Sequence, residues 1–198
     1  MLNIWRADGG GARKQSAEGG EPQLLRQIAD GDRAAFQALY RIYFPRLARF
    51  LDRMVRNAPL MEEIINDTML VVWQKARTFD YSCKVSTWIF AIAYRQGLKA
   101  VNMLDEPVES DFEQQPGCAS QEPEQAALQQ QLQQDVGRAL LALPLEQRVV
   151  VSLAYYHDMA YQEIAQTMDC PVNTVKTRMF HARQRLRGML SAHMEELS

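Results

Sequence analysis

Apolar side chains recur every three or four residues along most of this 198-residue chain, which is the spacing of amphipathic helices. The longest such stretch runs from Asp32 to Met54, and Pro45 inside it predicts a kink or a break. Further helices are predicted over residues 22–29, 60–75, 86–101, 124–143 and 145–156, with Ser86 or Thr87 as the cap of the helix that ends at residue 101. No stretch alternates apolar and polar residues as a strand would, so we predict an all-α fold.

A short helix, a tight turn and a longer helix are predicted over residues 160–187. Between the two helices, Asp169 tolerates a left-handed turn conformation and Pro171 suits a helix start, where no amide donor is needed. Each helix has one apolar face, made by Tyr161, Ile164, Ala165 and Met168 in the first and by Val172, Val175, Met179, Ala182 and Leu186 in the second. The pattern is that of a helix-turn-helix.

The opposite face of the second helix is polar and basic. A helix of this kind fits the DNA major groove and offers donors to phosphates and base edges. An ordinary helical hairpin with a solvated charged face is the alternative, and the coincidence of turn chemistry and a one-sided basic face favours DNA. The residues on this face are Asn173, Thr174, Lys176, Thr177, Arg178, His181, Arg183 and Arg185.

Charge is segregated along the chain although the net charge is only −2. Residues 1–104 hold 15 basic and 10 acidic residues, residues 105–135 hold eight acidic and no basic residues, and residues 136–198 hold seven basic and six acidic residues. Within the acidic segment, residues 105–123 have three prolines, a glycine and no helical periodicity, which indicates a flexible tether. We therefore predict two small helical domains joined by a flexible acidic linker, with a polyanion contacting the domains and avoiding the linker.

The chain divides into two domains, a linker and two terminal tails. We assign a disordered N-terminal tail to 1–22, the first domain to 23–103, the linker to 104–125, the second domain to 126–192 and a C-terminal tail to 193–198. The Gly-rich N-terminus lacks the apolar core of a secretory signal, and no apolar run approaches the roughly 20 residues of a membrane span. We expect no insertion into a membrane.

The residues that usually carry catalysis or bind metals do not form a recognisable set in this sequence. Cys83, Cys118 and Cys170 lie far apart, without the paired spacing of a zinc site and with an odd count for disulfides. No Gly-rich phosphate loop and no Ser/His/Asp constellation is present. We predict a cytoplasmic protein that is not an enzyme and that needs no metal or cofactor.

Several motifs resemble the extracytoplasmic-function (ECF) class of the sigma-70 family of bacterial transcription initiators. In the first domain the resemblance lies in Glu62–Trp73 and Ser86–Arg95, and in the second in Leu143–Arg148 (LPLEQR), Tyr161–Ala165 (YQEIA) and Thr174–Arg187. It covers residues 23–103, similar to sigma region 2, and 126–192, similar to region 4. The order of the two regions, with an acidic tether between them, makes the resemblance specific.

The resemblance implies that the helix over residues 60–75 binds the clamp helices of the β′ subunit of core RNA polymerase. The residues implied are Glu63, Ile64, Asn66, Asp67, Leu70 and Trp73. Ile64, Leu70, Val71 and Trp73 cannot all face one core, and carboxylates beside a large aromatic are typical of interface hot spots. Trp73 as a core residue, and Glu63 and Asp67 as solvated surface, remain the alternatives.

The segment from Phe79 to Asn102 resembles the part that melts promoter DNA and captures a nontemplate base of the minus-ten element. Capture of a single strand needs an aromatic or apolar pocket and cations along the backbone. Periodicity places Trp88 and Ile92 in the core, so the DNA candidates are Tyr81, Lys84, Ser86, Arg95 and Lys99. The end of this helix, over residues 101–106, is less basic than in many relatives, so the sequence does not define which minus-ten element is bound.

For region 4 the resemblance places the basic helix in the major groove of the minus-thirty-five element. It implies that Asn173, Thr174, Lys176, Thr177, Arg178, His181 and Arg183 approach the DNA, and that region 4 also contacts the β flap of the polymerase. Ala160 replaces the Ser or Thr that usually caps the first helix, and a lost cap costs about 1 kcal/mol. An anti-sigma protein that wedges between the domains is a further implied partner.

Two other functional classes stay open at this point. The C-terminal motif is also compatible with a DNA-binding regulator whose N-terminal half senses a signal or dimerises. The second is a helical adaptor that binds only proteins, in which Lys176 and Arg178 are surface charge.

Overall fold

The computed structural model describes residues 11–103 and 134–196, and the side chains of residues 20–103 and 134–191. These ranges are helical, with connecting turns and no strand among them, so the all-α prediction is confirmed. The helices are α1 (Gly11–Ala29), α2 (Arg33–Val55), α3 (Ala58–Lys75), α4 (Val85–Met103), α5 (134–141), α6 (Leu145–Tyr156), α7 (Tyr161–Met168) and α8 (Val172–Glu196). The predicted acidic linker and the first half of the predicted helix over 124–143 lie outside the described residues.

Polar caps set the starts of α2 and α3. Asp32 precedes α2, and its Oδ1 accepts hydrogen bonds from Ala34 N at 2.7 Å and Ala35 N at 3.2 Å. Asn57 does the same for α3, with Oδ1 3.0 Å from Leu60 N. Both satisfy backbone donors that the first turn of a helix leaves without partners.

Three expectations about helix boundaries were wrong. Helix α2 does not break at Pro45 but continues through it, and because Pro45 is exposed, water can hydrate the carbonyl that the proline leaves unpaired; a kink there stays a prediction. Ser86 and Thr87 do not cap α4, because the helix begins at Val85 and both side chains are buried in its first turn. Helix α1 begins at Gly11, so residues 11–22, which we expected in a disordered tail, are helical.

Helices α1 to α4 form the first bundle, in which α2 packs against α1, α3 and α4. Gly97 lets α4 approach α2 closely, since a Cβ there would lie 3.1 Å from both Leu51 Cδ2 and Met54 Cε. Tyr43, Phe50 and Phe90 are among its largest fully buried side chains.

The second bundle contains the predicted helix-turn-helix. Asp169 has φ of 50° in the left-handed region, and Cys170 N donates to Ala165 O at 3.0 Å, which closes the turn between α7 and α8. Ile164, Val175 and Ala182 are fully buried, so the predicted apolar faces are confirmed. The two bundles also pack on each other, α4 against α7 and α2 against α6.

Helix α7 has only half of a capping box. The Glu163 carboxylate accepts a hydrogen bond from Ala160 N at 2.8 Å, but the Ala160 side chain offers no acceptor in return.

We expect Ala160→Ser to raise the free energy of unfolding by about 1 kcal/mol, measured by urea denaturation. Ala100→Ser, inside α4, is the matched control and should lower it by a few tenths of a kcal/mol, about the helix-propensity difference. Equal effects of the two variants would contradict the capping argument.

Candidate nucleic-acid and protein interfaces

The N-terminal half of α8 presents donors to solvent, as predicted. Asn173, Lys176, Thr177 and His181 are exposed, while Thr174 is half-buried. Thr177 Oγ1 donates to Asn173 O at 3.0 Å, which fixes its rotamer along the helix. The exposed face therefore combines an amide, a hydroxyl, an ammonium group and an imidazole within two helical turns.

Two arginines that the sequence assigned to this face have intramolecular partners. Arg178 Nη2 lies 2.7 Å from Glu146 Oε2, and its Nη1 lies 3.6 Å from Cys170 Sγ. Arg183 donates from Nε and Nη2 to the Tyr155 hydroxyl, at 3.2 and 2.8 Å. In this conformation Arg178 binds α6 and the turn before α8, and Arg183 binds α6. To make the predicted DNA contacts, each guanidinium group has to leave these partners.

Phe180 is a candidate that sequence reasoning missed. Its side chain is 64% exposed although it lies beside the buried Met179. It follows Asn173 by seven residues, so the two share one face of α8, and this spacing could have identified it. An exposed apolar group among donors can contact a thymine methyl group in the major groove.

A cleft of about 390 Å³ lies beside the loop that precedes α4. Phe79 and Trp88 line it with aromatic rings whose centroids are 4.8 Å apart. Its lining also includes the cationic side chains of Lys75 and Arg95, and Asp80. Hydrogen bonds from the Ser82 amide and hydroxyl lower the pKa of the Asp80 carboxyl. The cleft thus offers aromatic surface with charged groups of both signs.

Only one of the predicted minus-ten residues, Arg95, belongs to the lining of this cleft. Arg95 lines it and donates from Nε to Ala91 O at 3.2 Å, and Lys99 is exposed one helical turn further along α4. The Lys84 ammonium group lies 2.9 Å from Glu163 Oε1 of the second bundle. Ser86 is buried at 5% exposure, so the prediction that it contacts DNA does not fit the structure: its position in the helical register turns it toward the core.

Tyr81 is exposed and has φ of 59°, a left-handed conformation that is uncommon for an aromatic residue. Its ring lies against Phe79, with centroids 4.8 Å apart, and the Arg26 guanidinium group lies 5.4 Å from its centroid. Arg26 belongs to α1 and escaped sequence reasoning, because only the packing of α1 brings it to this loop.

Helix α3 exposes a surface formed by Glu63, Asn66, Asp67 and Leu70, called here the α3 surface. Leu70 is 51% exposed, and Asn66 Oδ1 accepts a hydrogen bond from the Tyr40 hydroxyl at 2.9 Å. Ile64 is only 4% exposed, so its predicted contact with a partner is wrong: it packs in the first bundle's own core.

Trp73, the remaining candidate of α3, is half-buried. Its ring packs edge-on against Phe36 with centroids 5.2 Å apart. It therefore supports the α3 surface from within the bundle and keeps part of its ring accessible.

Residues 11–103 and 134–196 contain no cluster of three or more His, Cys, Asp or Glu side chains that could hold a metal ion. No helix among them has the length and apolar character needed to cross a membrane.

The chain matches two protein families. Residues 39–103 match sigma-70 region 2, and residues 133–186 match sigma-70 region 4. The first match contains α3, α4 and most of α2, and the second contains the helix-turn-helix. The cleft and the α3 surface therefore lie in region 2, and the basic face of α8 lies in region 4.

Relatives resemble the chain over most of its length. An ECF RNA polymerase sigma factor, RpoE, of Cereibacter sphaeroides is 35% identical over 172 residues, covering 85% of this chain and 93% of that protein. The ECF RNA polymerase sigma-E factor of Escherichia coli is 26% identical over 171 residues, covering 81% of this chain and 89% of that protein.

Two solved structures show the same fold. CnrH in complex with the cytosolic domain of CnrY has a TM-score of 0.66 at 21% identity, covering 87% of this chain and 98% of that chain. The sigma factor RpoE in complex with the anti-sigma factor NepR from Bartonella quintana has a TM-score of 0.59 at 22% identity, covering 79% and 96%. Together with the region 2 and region 4 matches and the 35% identical relative, these findings confirm the resemblance seen in the sequence: the chain belongs to the ECF RNA polymerase sigma factors of the sigma-70 family.

Proposed function

We propose that this ECF sigma factor binds core RNA polymerase through the α3 surface and directs it to promoters with two DNA-binding surfaces, one in each bundle. The observation that supports the proposal is that these three surfaces are separate from one another. The cleft beside α4, the basic face of α8 and the α3 surface are formed by different residues. One chain can therefore use all three surfaces at once.

In region 4, α8 enters the major groove of the minus-thirty-five element. Asn173, Thr174, Lys176, Thr177 and His181 make direct contacts, and Phe180 adds an apolar contact to a thymine methyl. Arg178 and Arg183 exchange Glu146 and Tyr155 for phosphates when DNA is present, since a guanidinium group forms charge-assisted bonds to phosphate readily.

In region 2, the cleft accepts an unstacked base of the minus-ten nontemplate strand. Phe79 and Trp88 supply the stacking surface, and Tyr81, whose ring lies against Phe79, supplies a third ring. Arg26, Lys84, Arg95 and Lys99 follow the sugar–phosphate backbone. An extruded base bound in this way stabilises the melted duplex near the start site.

The remaining assignments follow from this role. The factor works in the cytoplasm, with polymerase and DNA as its partners and with no catalysis of its own. Region 2 occupies residues 23–103 and region 4 residues 126–192. Helix α3 contacts the β′ clamp helices, and region 4 contacts the β flap. An anti-sigma protein controls the factor.

Transcription in vitro with reconstituted core polymerase on a genomic template library tests the proposal. Addition of the purified chain should produce new start sites that share two sequence elements. Initiation no different from that of core polymerase alone would refute it. Tight operator binding by a free dimer, without retention on core, would point to an ordinary regulator.

Lys176→Ala tests the phosphate role of α8. We expect the affinity for a minus-thirty-five duplex to fall about threefold to tenfold at moderate salt, and the salt slope of log K to decrease by about 1. Fluorescence anisotropy over a range of salt concentrations measures both. The same loss should appear on an unrelated duplex, because a phosphate contact carries no base preference. A loss confined to the specific duplex would instead assign Lys176 to a base edge.

A further inference from the structure

The loop that precedes α4 holds Tyr81 in a conformation that aromatic residues rarely adopt. Its φ of 59° lies in the left-handed region, where a bulky side chain crowds the backbone. Such a conformation persists only where surrounding contacts hold it. The contacts around Tyr81 therefore decide whether its ring stays beside the cleft.

Contacts within the loop hold one side of Tyr81. Asp80 Oδ1 accepts hydrogen bonds from Ser82 N at 3.0 Å and from Ser82 Oγ at 2.7 Å, which links the two residues that flank Tyr81. The Phe79 ring packs edge-on against the Tyr81 ring. Tyr81 is nevertheless 41% exposed, so these contacts leave part of its ring open to a further partner.

The last turn of α1 contacts the same segment at two points. The Arg26 guanidinium group lies 5.4 Å from the centroid of the Tyr81 ring, a distance at which a cation is attracted to the face of a ring. Arg77, in the 3-10 turn Ala76–Thr78, donates from Nε to Ala29 O, the carbonyl of the last residue of α1. The final carbonyls of a helix lack intrahelical acceptor partners, so this bond satisfies one of them. Two arginines thus join α1 to the segment 76–82.

Helix α1 is fixed to the first bundle and can act as a rigid support for the loop. Its Leu25 and Ile28 side chains are buried in the core of the bundle. The buried Glu21 carboxylate accepts a hydrogen bond from the Tyr43 hydroxyl at 2.7 Å and pairs with Arg46 at 3.0 Å. Arg26 therefore reaches the loop from a helix whose other side is anchored.

From this arrangement we infer that Arg26 is a positioning residue for the minus-ten strand: through the Tyr81 ring, it holds the loop in the conformation that completes the cleft. This role rests on the proposed function of the cleft. A guanidinium group attracts a ring through its face, while its N–H donors lie in its plane and stay available to a phosphate. Arg26 can thus support Tyr81 and follow the sugar–phosphate backbone at the same time.

Loss of this support should weaken DNA capture without unfolding the chain. When Arg26 is removed, Tyr81 populates other conformations, in which its ring cannot stack on an extruded base. The apparent dissociation constant rises by the inverse of the fraction of molecules whose loop is still competent to bind. Arg26 is exposed, so its removal leaves the core of the bundle intact.

A double-variant cycle between Arg26 and Tyr81 tests this role. The probe is a fork-junction DNA with a fluorescent nontemplate strand, taken from a start site mapped by the transcription experiment, and anisotropy measures its affinity for reconstituted holoenzyme. We expect Arg26→Ala to weaken binding about threefold to tenfold, through the ring contact and a phosphate contact together. Tyr81→Asn removes the ring but tolerates the left-handed backbone, and should weaken binding at least about fivefold.

The combination of the two variants separates support of the ring from contact with phosphate. If Arg26 acts through Tyr81, the fold loss caused by Arg26→Ala should shrink at least about twofold in the Tyr81→Asn background. Arg95→Ala is the matched control for the cycle, because Arg95 lines the cleft from α4, and it should cause the same fold loss in both backgrounds. Arg33→Ala, an exposed arginine in the first turn of α2, should bind the fork as the wild type does.

Fluorine NMR of the free chain, with fluorotyrosine incorporated at position 81, reports the loop directly. We expect the resonance to shift and broaden in the Arg26→Ala chain, because the ring then exchanges between conformations, and to stay unchanged in the Arg33→Ala chain. Circular dichroism checks that each variant is folded.

Two results would overturn the positioning role. One is an equal fold loss from Arg26→Ala in the wild-type and Tyr81→Asn backgrounds, which would leave Arg26 with a phosphate contact alone. The other is a fluorine resonance that Arg26→Ala does not change. Both leave the proposed capture intact as long as the wild-type holoenzyme binds the fork, whereas a wild-type holoenzyme that does not bind it would refute the proposed function itself.

Discussion

Replacing Leu70 with arginine is expected to weaken binding to core RNA polymerase at least about thirtyfold, the loss typical of an interface hot spot. Leu70 is 51% exposed and is the apolar residue of the α3 surface, so the change should not disturb the bundle core. An arginine at this position would bring a hydrated cation against a site on the polymerase that fits an apolar side chain. The carboxylate of Asp67, three residues earlier on the helix, would also pair with the new cation rather than with the polymerase.

Immobilised core polymerase and biolayer interferometry measure this loss. Met103→Arg is the matched control, because Met103 is a more exposed apolar residue, at 71%, and lies at the end of α4, outside the α3 surface. It should bind core as the wild type does. Wild-type affinity of the Leu70→Arg chain would show that α3 takes no part in binding the polymerase.

Replacing Glu21 with alanine is expected to lower the free energy of unfolding by about 2–3 kcal/mol. Glu21 is only 2% exposed, and its carboxylate accepts a hydrogen bond from the Tyr43 hydroxyl at 2.7 Å and pairs with Arg46 at 3.0 Å. Its removal leaves a buried hydroxyl without this acceptor and a guanidinium group without its counter-charge. The Arg46 side chain is 26% exposed, and solvent screening keeps the loss below that of a fully buried pair.

Urea denaturation followed by circular dichroism measures the effect. Glu21→Gln should cost less, since the amide oxygen still accepts from Tyr43. Glu62→Ala, an exposed glutamate on α3, is the control and should change stability by less than about 0.5 kcal/mol. If Glu21→Ala matched that control, α1 would not be fixed to the bundle by this carboxylate.

The helix-turn-helix shows how much local pattern can predict. Buried Val175, Met179 and Ala182 follow the helical period, and Asp169 takes the left-handed turn that its side chain tolerates. These features depend on neighbours within one or two helical turns. Spacing and turn chemistry therefore predict them without knowledge of the rest of the fold.

The candidate surfaces were predicted less completely. Ile64 and Ser86 have chemistry and positions compatible with contact, but the bundle places both in its core. Arg26 and Glu21 both lie in α1, Arg26 in the helix predicted over residues 22–29 and Glu21 where the sequence suggested a tail. Their partners Tyr81 and Tyr43 are 55 and 22 residues away along the chain, so no local pattern could reveal them.

By itself, the sequence determined that this chain is helical, that it has two basic domains with an acidic segment between them, and that it is a sigma factor. These properties follow from periodicity, turn chemistry, charge order and family motifs. Each of these signals can be recognised from residues that are close together in the sequence. Only the tertiary structure decided which cations are available to DNA. Arg178, Arg183 and Lys84 are alike in sequence as exposed bases, but each is held by Glu146, Tyr155 or Glu163, a partner from another helix. Such pairing depends on how distant helices pack, because charged side chains take the partners that the folded backbone brings within reach.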